Sequence, residues 1–333
     1  MTPVRLVLAA LCGAALLAAC GKASQGSQGA GSKVVNFSIL SAEDSQSMAR
    51  VWQPLLDDLH KQTGLTIKPF FASNYTALIE AMRFNQVQAG WFSALPSLEA
   101  VNRADAEVLG RVVSGDGSVT YESVLIVKKG SGITLDDVLK CGKRYDFGIG
   151  DAKSTSGTLA PNYYLFAPRG IEPADCFKTV RSASHQSNLA SVATGVLPVA
   201  TNNTEGLLFA RREQSGMAEK VQVIWTSPPL PESAILVRKD LDPAVKAKLR
   251  DFFLHYGQGA DGAAQRKVMH DLTYAGFMPA DDSYLDPVRL MVASDDLARA
   301  KRSGDSAKIA VAQKAMDAVK ALAASRPKAP AGA

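Results

Sequence analysis

From residue 34 onward, short β-branched runs alternate with segments of helical period, and few folds accommodate that alternation. Val34 to Leu40 reads as a strand, and Met48, Val51, Trp52, Leu55, Leu56 and Leu59 then repeat at helical spacing until Gly64 stops them. Leu65 to Phe71 is the next strand, Leu78, Ile79 and Met82 mark a second helix, and Ala89 to Phe92 form a third strand before Pro96 opens another helix. The order β-α-β-α-β predicts a parallel sheet. The pattern restarts with the apolar strand Val124 to Val127. It continues through the helix Leu135 to Leu139, headed by Thr134 and Asp137 as a capping box, and the strand Phe147 to Ile149. A helix after Ser156, a helix around Leu189 to Ala193, and strands at Val196 to Ala200, Val221 to Trp225 and Ile235 to Val237 complete it. Two α/β lobes are the economical reading, and a chain of 333 residues is long enough for two cores.

The ends of the chain differ from this body. Arg5 precedes an apolar stretch from Leu6 to Ala19 that is short for a membrane span, as expected of a secretory signal over residues 1–19. Leu17-Ala18-Ala19-Cys20 resembles a bacterial lipobox, which makes Cys20 the lipidation site. Two or more acyl chains anchor stably where one is marginal. Residues 20–33 are Gly/Ser/Gln-rich and read as a flexible tether. Cys12 leaves with the signal, so Cys141 and Cys176 are an even pair in an oxidising compartment. A disulfide and two buried thiols both remain open on sequence, which gives no Cα separation. Beyond Asp242 a helix carries Val245, Leu249, Phe252 and Phe253, and residues 288–333 predict amphipathic helices broken near Gly304. That extension is expected to cover its own lobe, with a homodimer contact as the alternative.

Chemistry concentrates at strand ends. Lys+Arg number 37 against 32 Asp+Glu, with no long basic run, which argues against nucleic acid. Gly148-Ile149-Gly150-Asp151-Ala152-Lys153-Ser154-Thr155-Ser156-Gly157 falls where a strand hands over to a helix. Three hydroxyls and the free amides of a helix N-terminus converge there on an oxyanion. A plain N-cap explains the same residues less completely. The segment is neither a Walker A nor a full G-x-G-x-x-G motif, since Lys153 stands where the last glycine belongs. His185, in Ser184-His185-Gln186-Ser187-Asn188, is a second candidate, and Thr201-Asn202-Asn203-Thr204-Glu205 a third, at another strand end. Tyr75 and Trp91-Phe92 add aromatics near strand ends of the first lobe. No zinc-type spacing of Cys or His occurs, and neither a metal nor a cofactor is expected.

These segments together resemble the periplasmic phosphonate-binding proteins of ABC importers. The likeness rests on Val124-Leu125-Ile126-Val127, Gly150-Asp151 with Ser154-Thr155-Ser156-Gly157, Tyr163-Tyr164, His185 and Ala200-Thr201-Asn202-Asn203-Thr204-Glu205. Phe71-Ala72 with Tyr75, Met82-Arg83-Phe84-Asn85, Trp91, Glu99-Ala100-Val101 and Val223-Ile224-Trp225 with Ser227-Pro228 extend it. The resemblance implies a type II-like two-lobed binding protein, non-enzymatic, that closes over a phosphonate or related phosphorus oxyanion and delivers it to an ABC permease from a lipid-anchored position in the periplasm or cell envelope. Lobe 1 is then 34–126 with 237–287 and lobe 2 is 127–236, with hinge crossings near Val127 and Ser233. By position, Ser154, Thr155, Ser156 and His185 hold the phosphonate oxygens, Tyr75 adds a hydroxyl from the opposite lobe, and Glu205 faces an ammonium substituent. Asp151 is the neighbouring carboxylate to which a protonated oxyanion would turn. Aminoethylphosphonate binders of the family carry a tyrosine and an aspartate where this chain has Phe92 and Ser233, each change removing a partner for the amino group; Glu232 stands beside the second. Two rival readings remain. Asp151, the serines and His185 supply the residue types of a secreted serine hydrolase without its G-x-S-x-G elbow, and the helical tail suits an envelope scaffold lipoprotein.

Overall fold

The computed structural model describes residues 33–260 and 262–326. The signal, the lipidation cysteine Cys20 and nearly all of the tether lie outside them, as do residues 327–333. The chain order is β1 (Val34–Ile39), α1 (Ser45–Thr63), β2 (Thr66–Phe71), α2 (Tyr75–Arg83), β3 (Ala89–Phe92), α3 (Ala94–Arg103), β4 (Ala106–Ser114), β5 (Thr120–Tyr121) and β6 (Ser123–Lys128). There follow α4 (Leu135–Leu139), β7 (Asp146–Ile149), two π-helical segments (Thr155–Leu159 and Asn162–Phe166), α5 (Pro173–Cys176), β8 (Thr179–Ser182), α6 (His185–Thr194), β9 (Val199–Asn203) and α7 (Thr204–Arg212). The chain ends with β10 (Val221–Thr226), β11 (Leu230–Pro231), β12 (Ala234–Arg238), α8 (Pro243–His255), α9 (Gly262–Asp271), β13 (Tyr274–Pro279), α10 (Asp286–Ser303) and α11 (Ser306–Ser325).

Helix boundaries follow local chemistry. Asp44 caps α1 by accepting from the amides of Gln46 and Ser47, and Gly64, with φ 68°, ends it in the left-handed region. Thr134 and Asp137 form the reciprocal capping box of α4. Gly304 separates α10 from α11, again at positive φ.

The strands form two principal sheets. One has the order β13-β4-β12-β3-β1-β2, the other β10-β6-β9-β7-β8, and a ribbon of β5 and β11 lies between them in sequence. The first surrounds Phe37, Trp52 and Phe253, the second Phe147, Phe166 and Phe177, with Phe147 stacked on Phe177 at 4.2 Å. Both sheets are mixed rather than parallel. β1 pairs in parallel with β2 and β3, while β12 and β13 run antiparallel to their neighbours. In the second sheet β6 runs antiparallel to β9 and β10 while β7 runs parallel to β8 and β9; in the first, the returning strand β12 is the reason. It comes back from the second half of the chain and inserts between β3 and β4, and an antiparallel entry needs no crossover helix.

Three expectations are corrected. The halves change over at the ribbon Thr120–Tyr121 and Leu230–Pro231, not at Val127 and Ser233. Val127 lies inside β6, a strand of the second sheet, so residues 123–126 leave lobe 1. Residues 234–236 belong to β12 of the first sheet, so they leave lobe 2. The strand expected at Val196 to Ala200 runs instead from Val199 to Asn203, and Val196 is exposed in the preceding turn. The C-terminal extension is not confined to one lobe: α10 packs on α3 of the first half and also against both π-helical segments of the second. Arg302 of α10 pairs with Glu172 at 3.0 Å, whereas Arg289 pairs with Asp282 and Asp286.

Cys141 and Cys176 form a disulfide across a separation of 35 residues, joining the end of α4 to α5. Among the described residues no helix is long and apolar enough to cross a membrane. Closing a loop of that length removes about 3–4 kcal/mol of denatured-state entropy. The double replacement Cys141→Ser/Cys176→Ser is therefore expected to lower the free energy of urea unfolding by about 3 kcal/mol, measured on oxidised wild type and variant side by side.

Candidate functional site

The carboxyl ends of β1, β3, β7 and β9 all point toward the junction between the two sheets, the place where open α/β sheets put their ligands. A cavity of about 80 Å³ opens there.

The turn between β7 and the first π-helical segment builds one wall. Gly150 and Gly157 approach so closely that a Cβ on Gly150 would stand 2.6 Å from the Gly157 Cα, and the Gly150 amide donates to the Gly157 carbonyl at 3.0 Å. Only glycine permits this contact. It folds the intervening residues into a compact loop whose helix begins with π winding, the Leu159 amide reaching the Ser154 carbonyl five residues back at 3.1 Å. Ser154 caps that helix through the Gly157 amide at 2.9 Å. As its first two members, Thr155 and Ser156 have amides with no intrahelical acceptor.

Side chains alternate along the loop. Ser154 and Ser156 line the cavity. Thr155 does not: its Oγ1 accepts from the Leu95 amide at 2.8 Å, and it is wholly buried against α3. Asp151 also turns away, accepting from the Tyr75 amide at 3.2 Å and the Lys153 amide at 2.8 Å. The carboxylate expected to meet a protonated oxyanion is thus committed elsewhere. Asn203 donates to Ser156 Oγ at 3.0 Å, and Asn202 holds the His185 carbonyl at 2.9 Å.

His185 is the first residue of α6, capped by Ser184. Its Nε2 lies 3.4 Å from Ser156 Oγ, and its Nδ1 has no protein partner. Burial pushes the imidazole down to about 4, so at neutral pH the ring is uncharged and offers a single N–H. Among the described residues no carboxylate accepts from it. The pair therefore lacks the third member that a serine hydrolase needs. Tyr75, first residue of α2, faces the same space from the other half, its phenol held protonated by burial and lying beside Ser154.

Several lining residues were not singled out from sequence. Tyr121, on the crossing strand β5, sits beside Ser156 with its phenol also held protonated by burial. Trp52 and Tyr274 supply apolar walls beside Trp91, which the sequence did single out, and among the described residues the indole N–H groups of both tryptophans have no acceptor. Trp91 faces the cavity while Phe92, its neighbour on β3, is fully buried in the first core, so the missing tyrosine hydroxyl at 92 opens no gap in the lining.

Three glutamates complete the lining. Glu205, second residue of α7, accepts from Thr273 Oγ1 at 2.9 Å. Glu232 curls back onto the amide of Ser233, accepts from Ser114 Oγ at 3.3 Å and lines the cavity. Glu43, just beyond β1, is buried next to Tyr75 and Gln186. Burial raises all three. Glu43 reaches about 8, and Glu232, with the Glu205 charge beside it, about 7. Among the described residues no Lys or Arg lines the cavity.

The two halves are in contact around it. His185 donates its amide to the Ala42 carbonyl at 3.2 Å, Gln186 Oε1 accepts from the Asp44 amide at 2.9 Å, and Arg50 pairs with Glu213 at 2.7 Å.

Residues 37–285 match the family model described as the periplasmic substrate-binding protein of phosphonate ABC transporters. The chain is 40% identical over 258 residues to the phosphonates-binding periplasmic protein of Escherichia coli, covering 77% of this chain and 75% of that one. A crystal structure of a binding-protein component of an ABC phosphonate transporter from Pseudomonas aeruginosa superposes with a TM-score of 0.83 at 36% identity, over 88% of this chain and 99% of that one. A protein from Prochlorococcus marinus, solved in complex with methylphosphonate, shares the fold at a TM-score of 0.69 and 18% identity, over 78% and 97% of the two chains.

Raised carboxyls fix a pH dependence. Between the ordinary glutamate range and the raised values the folded chain binds more protons than the unfolded one, so stability falls as pH rises through the folded values. The ligand-free thermal midpoint is therefore expected to drop between about pH 5 and pH 8, and Glu232→Gln to flatten that slope, as scanning calorimetry across the range would register.

Proposed function

The chain belongs to the periplasmic substrate-binding proteins of phosphonate ABC transporters, and from that premise we propose that its ligands are short zwitterionic aminoalkylphosphonates. It is the non-enzymatic, periplasmic substrate-binding component of such an importer. The observation carrying the finer reading is a small cavity lined by hydroxyls, a neutral imidazole and three carboxyls, with no cationic side chain among the described residues. A dianion buried there gains charge-assisted hydrogen bonds but no counter-ion from the protein. A ligand that brings its own ammonium relieves both problems, since the carboxyls become its partners and ionise.

In this reading the hydroxyls of Ser154 and Ser156, the Thr155 and Ser156 amides, the His185 N–H and the phenols of Tyr75 and Tyr121 hold the phosphonyl oxygens. Glu205 and Glu232 take the ammonium, Glu232 standing in for the aspartate that Ser233 replaces. Thr155 contributes through its amide, its hydroxyl being engaged by Leu95. We further propose that a lipid on Cys20 anchors the mature protein to the membrane; mass spectrometry of the membrane fraction tests this. Pairing of two copies through the C-terminal helices draws support from Val311 and Leu322, exposed on α11, and sedimentation equilibrium reads it out.

Isothermal calorimetry with 2-aminoethylphosphonate, methylphosphonate, phosphite and phosphate tests the assignment. Ser154→Ala or His185→Ala is expected to weaken every phosphonate about tenfold or more, as the loss of a hydrogen bond to a charged group does. Glu205→Ala and Glu232→Gln are expected to weaken the aminophosphonate and spare methylphosphonate; equal losses for all ligands would refute the division of the cavity into two ends.

A further inference from the structure

Odd and even positions of the loop that builds the oxyanion wall do different things. Ser154 and Ser156 face the cavity, while Asp151, Lys153 and Thr155 each reach the first half of the molecule. Asp151 accepts from the Tyr75 amide, Thr155 from the Leu95 amide, and Lys153 Nζ meets Glu99 Oε1 of α3 at 2.5 Å. Glu99 is itself held by Arg103 at 3.4 Å, and Arg103 by Glu80 at 2.8 Å, so the acceptor is anchored within the first half. The Lys153 and Glu99 side chains are 33% and 18% exposed, which puts the pair between a solvent-screened contact and a buried one.

We infer that Lys153 and Glu99 are positioning residues of a closure latch, through which the loop that grips the ligand on one face locks the two halves together on the other. Neither side chain lines the cavity. Both lie on opposite sides of the β5–β11 ribbon, so the bond is made only when the halves meet. The latch rests on the reading that a phosphonate occupies the cleft, and it goes beyond it: Lys153 sets how long the closed state lasts without reading which ligand is inside. Where the binding-competent state is partly populated, apparent affinity scales with that population, identically for every ligand. A contact to the ligand would change selectivity instead.

The test uses the full chain, with 2-aminoethylphosphonate and methylphosphonate as probes and the fluorescence of Trp52 and Trp91 at the cavity wall as signal. Lys153→Gln and Glu99→Gln are each expected to raise the dissociation constant of both probes by the same factor, about 3- to 10-fold, mostly through faster release. The double variant should be no weaker than either single, and the exchanged pair Lys153→Glu/Glu99→Lys should recover most of the loss. Thr155→Val, removing the acceptor for Leu95, should act in the same ligand-independent way. Unchanged dissociation rates in the single variants, additive losses in the double, or a shift in the ratio between the two probes would each overturn the latch while leaving the ligand assignment standing. A wild-type protein that binds neither probe would overturn both, and is distinguished by the control titration.

Discussion

A doubly charged headgroup enters a protein only when fixed donors replace its water, and here those donors are neutral. That choice governs the rest of the site. An arginine would supply strong attraction at long range and would hold phosphate, sulfate or phosphonate alike. Hydroxyls, amides and a histidine kept uncharged by burial act only at hydrogen-bond distance, so the ligand must fit before it is held. Such donors are useful only in a closed, dry cavity, and their number has to be large. Drawing them from both halves achieves this, with Tyr75 and Tyr121 meeting Ser154 and Ser156 across the junction.

The carboxyl end follows from the same constraint. Glu43, Glu205 and Glu232 are tolerable beside an anion site only while protonated or while paired with a positive charge. Glu232 is held by the Ser233 amide and the Ser114 hydroxyl, two neutral donors that keep its carboxyl at the cavity wall.

Much of this was legible before any coordinates. The strand-to-helix turn at Gly150–Gly157 announces itself through glycine, hydroxyl and cap residues in one contiguous stretch, and Tyr75, His185 and Glu205 sit at helix starts that the caps reveal. What escaped was non-local. β4 carries no clean strand signal, because its alternation is broken where the register against β12 shifts between Ile235 and Leu236. The ribbon at Thr120–Tyr121 and Leu230–Pro231 is two residues wide and carries no periodic signal, which displaced the expected hinge and hid Tyr121. Glu43 follows the end of β1, and what makes it a cavity residue is non-local, its burial against Tyr75 and Gln186. The hydroxyl of Thr155 was assigned to the ligand because sequence shows residue types and not which face of a turn they occupy.

That last point has a structural cause. In a regular α-helix the first residues fan out around the axis, and three successive hydroxyls would share the ligand unequally. Here the Gly150–Gly157 contact pins both ends of the loop, and the π winding widens its first turn. Between them residues 151–156 form a compact strip, a turn closed by the Ser154 amide on the Asp151 carbonyl at 2.8 Å and the start of the π winding, with Ser154 and Ser156 on the edge turned to the cavity and Asp151 and Thr155 on the edge turned to α2 and α3. A single stretch of backbone is then shared by the contacts that recognise the headgroup and those that join the halves. Ordering the strip around a ligand orders both edges together, so closure draws on binding without a separate relay. Selectivity can drift through residues such as Glu232, on the crossing, while the shared strip keeps grip and closure coupled.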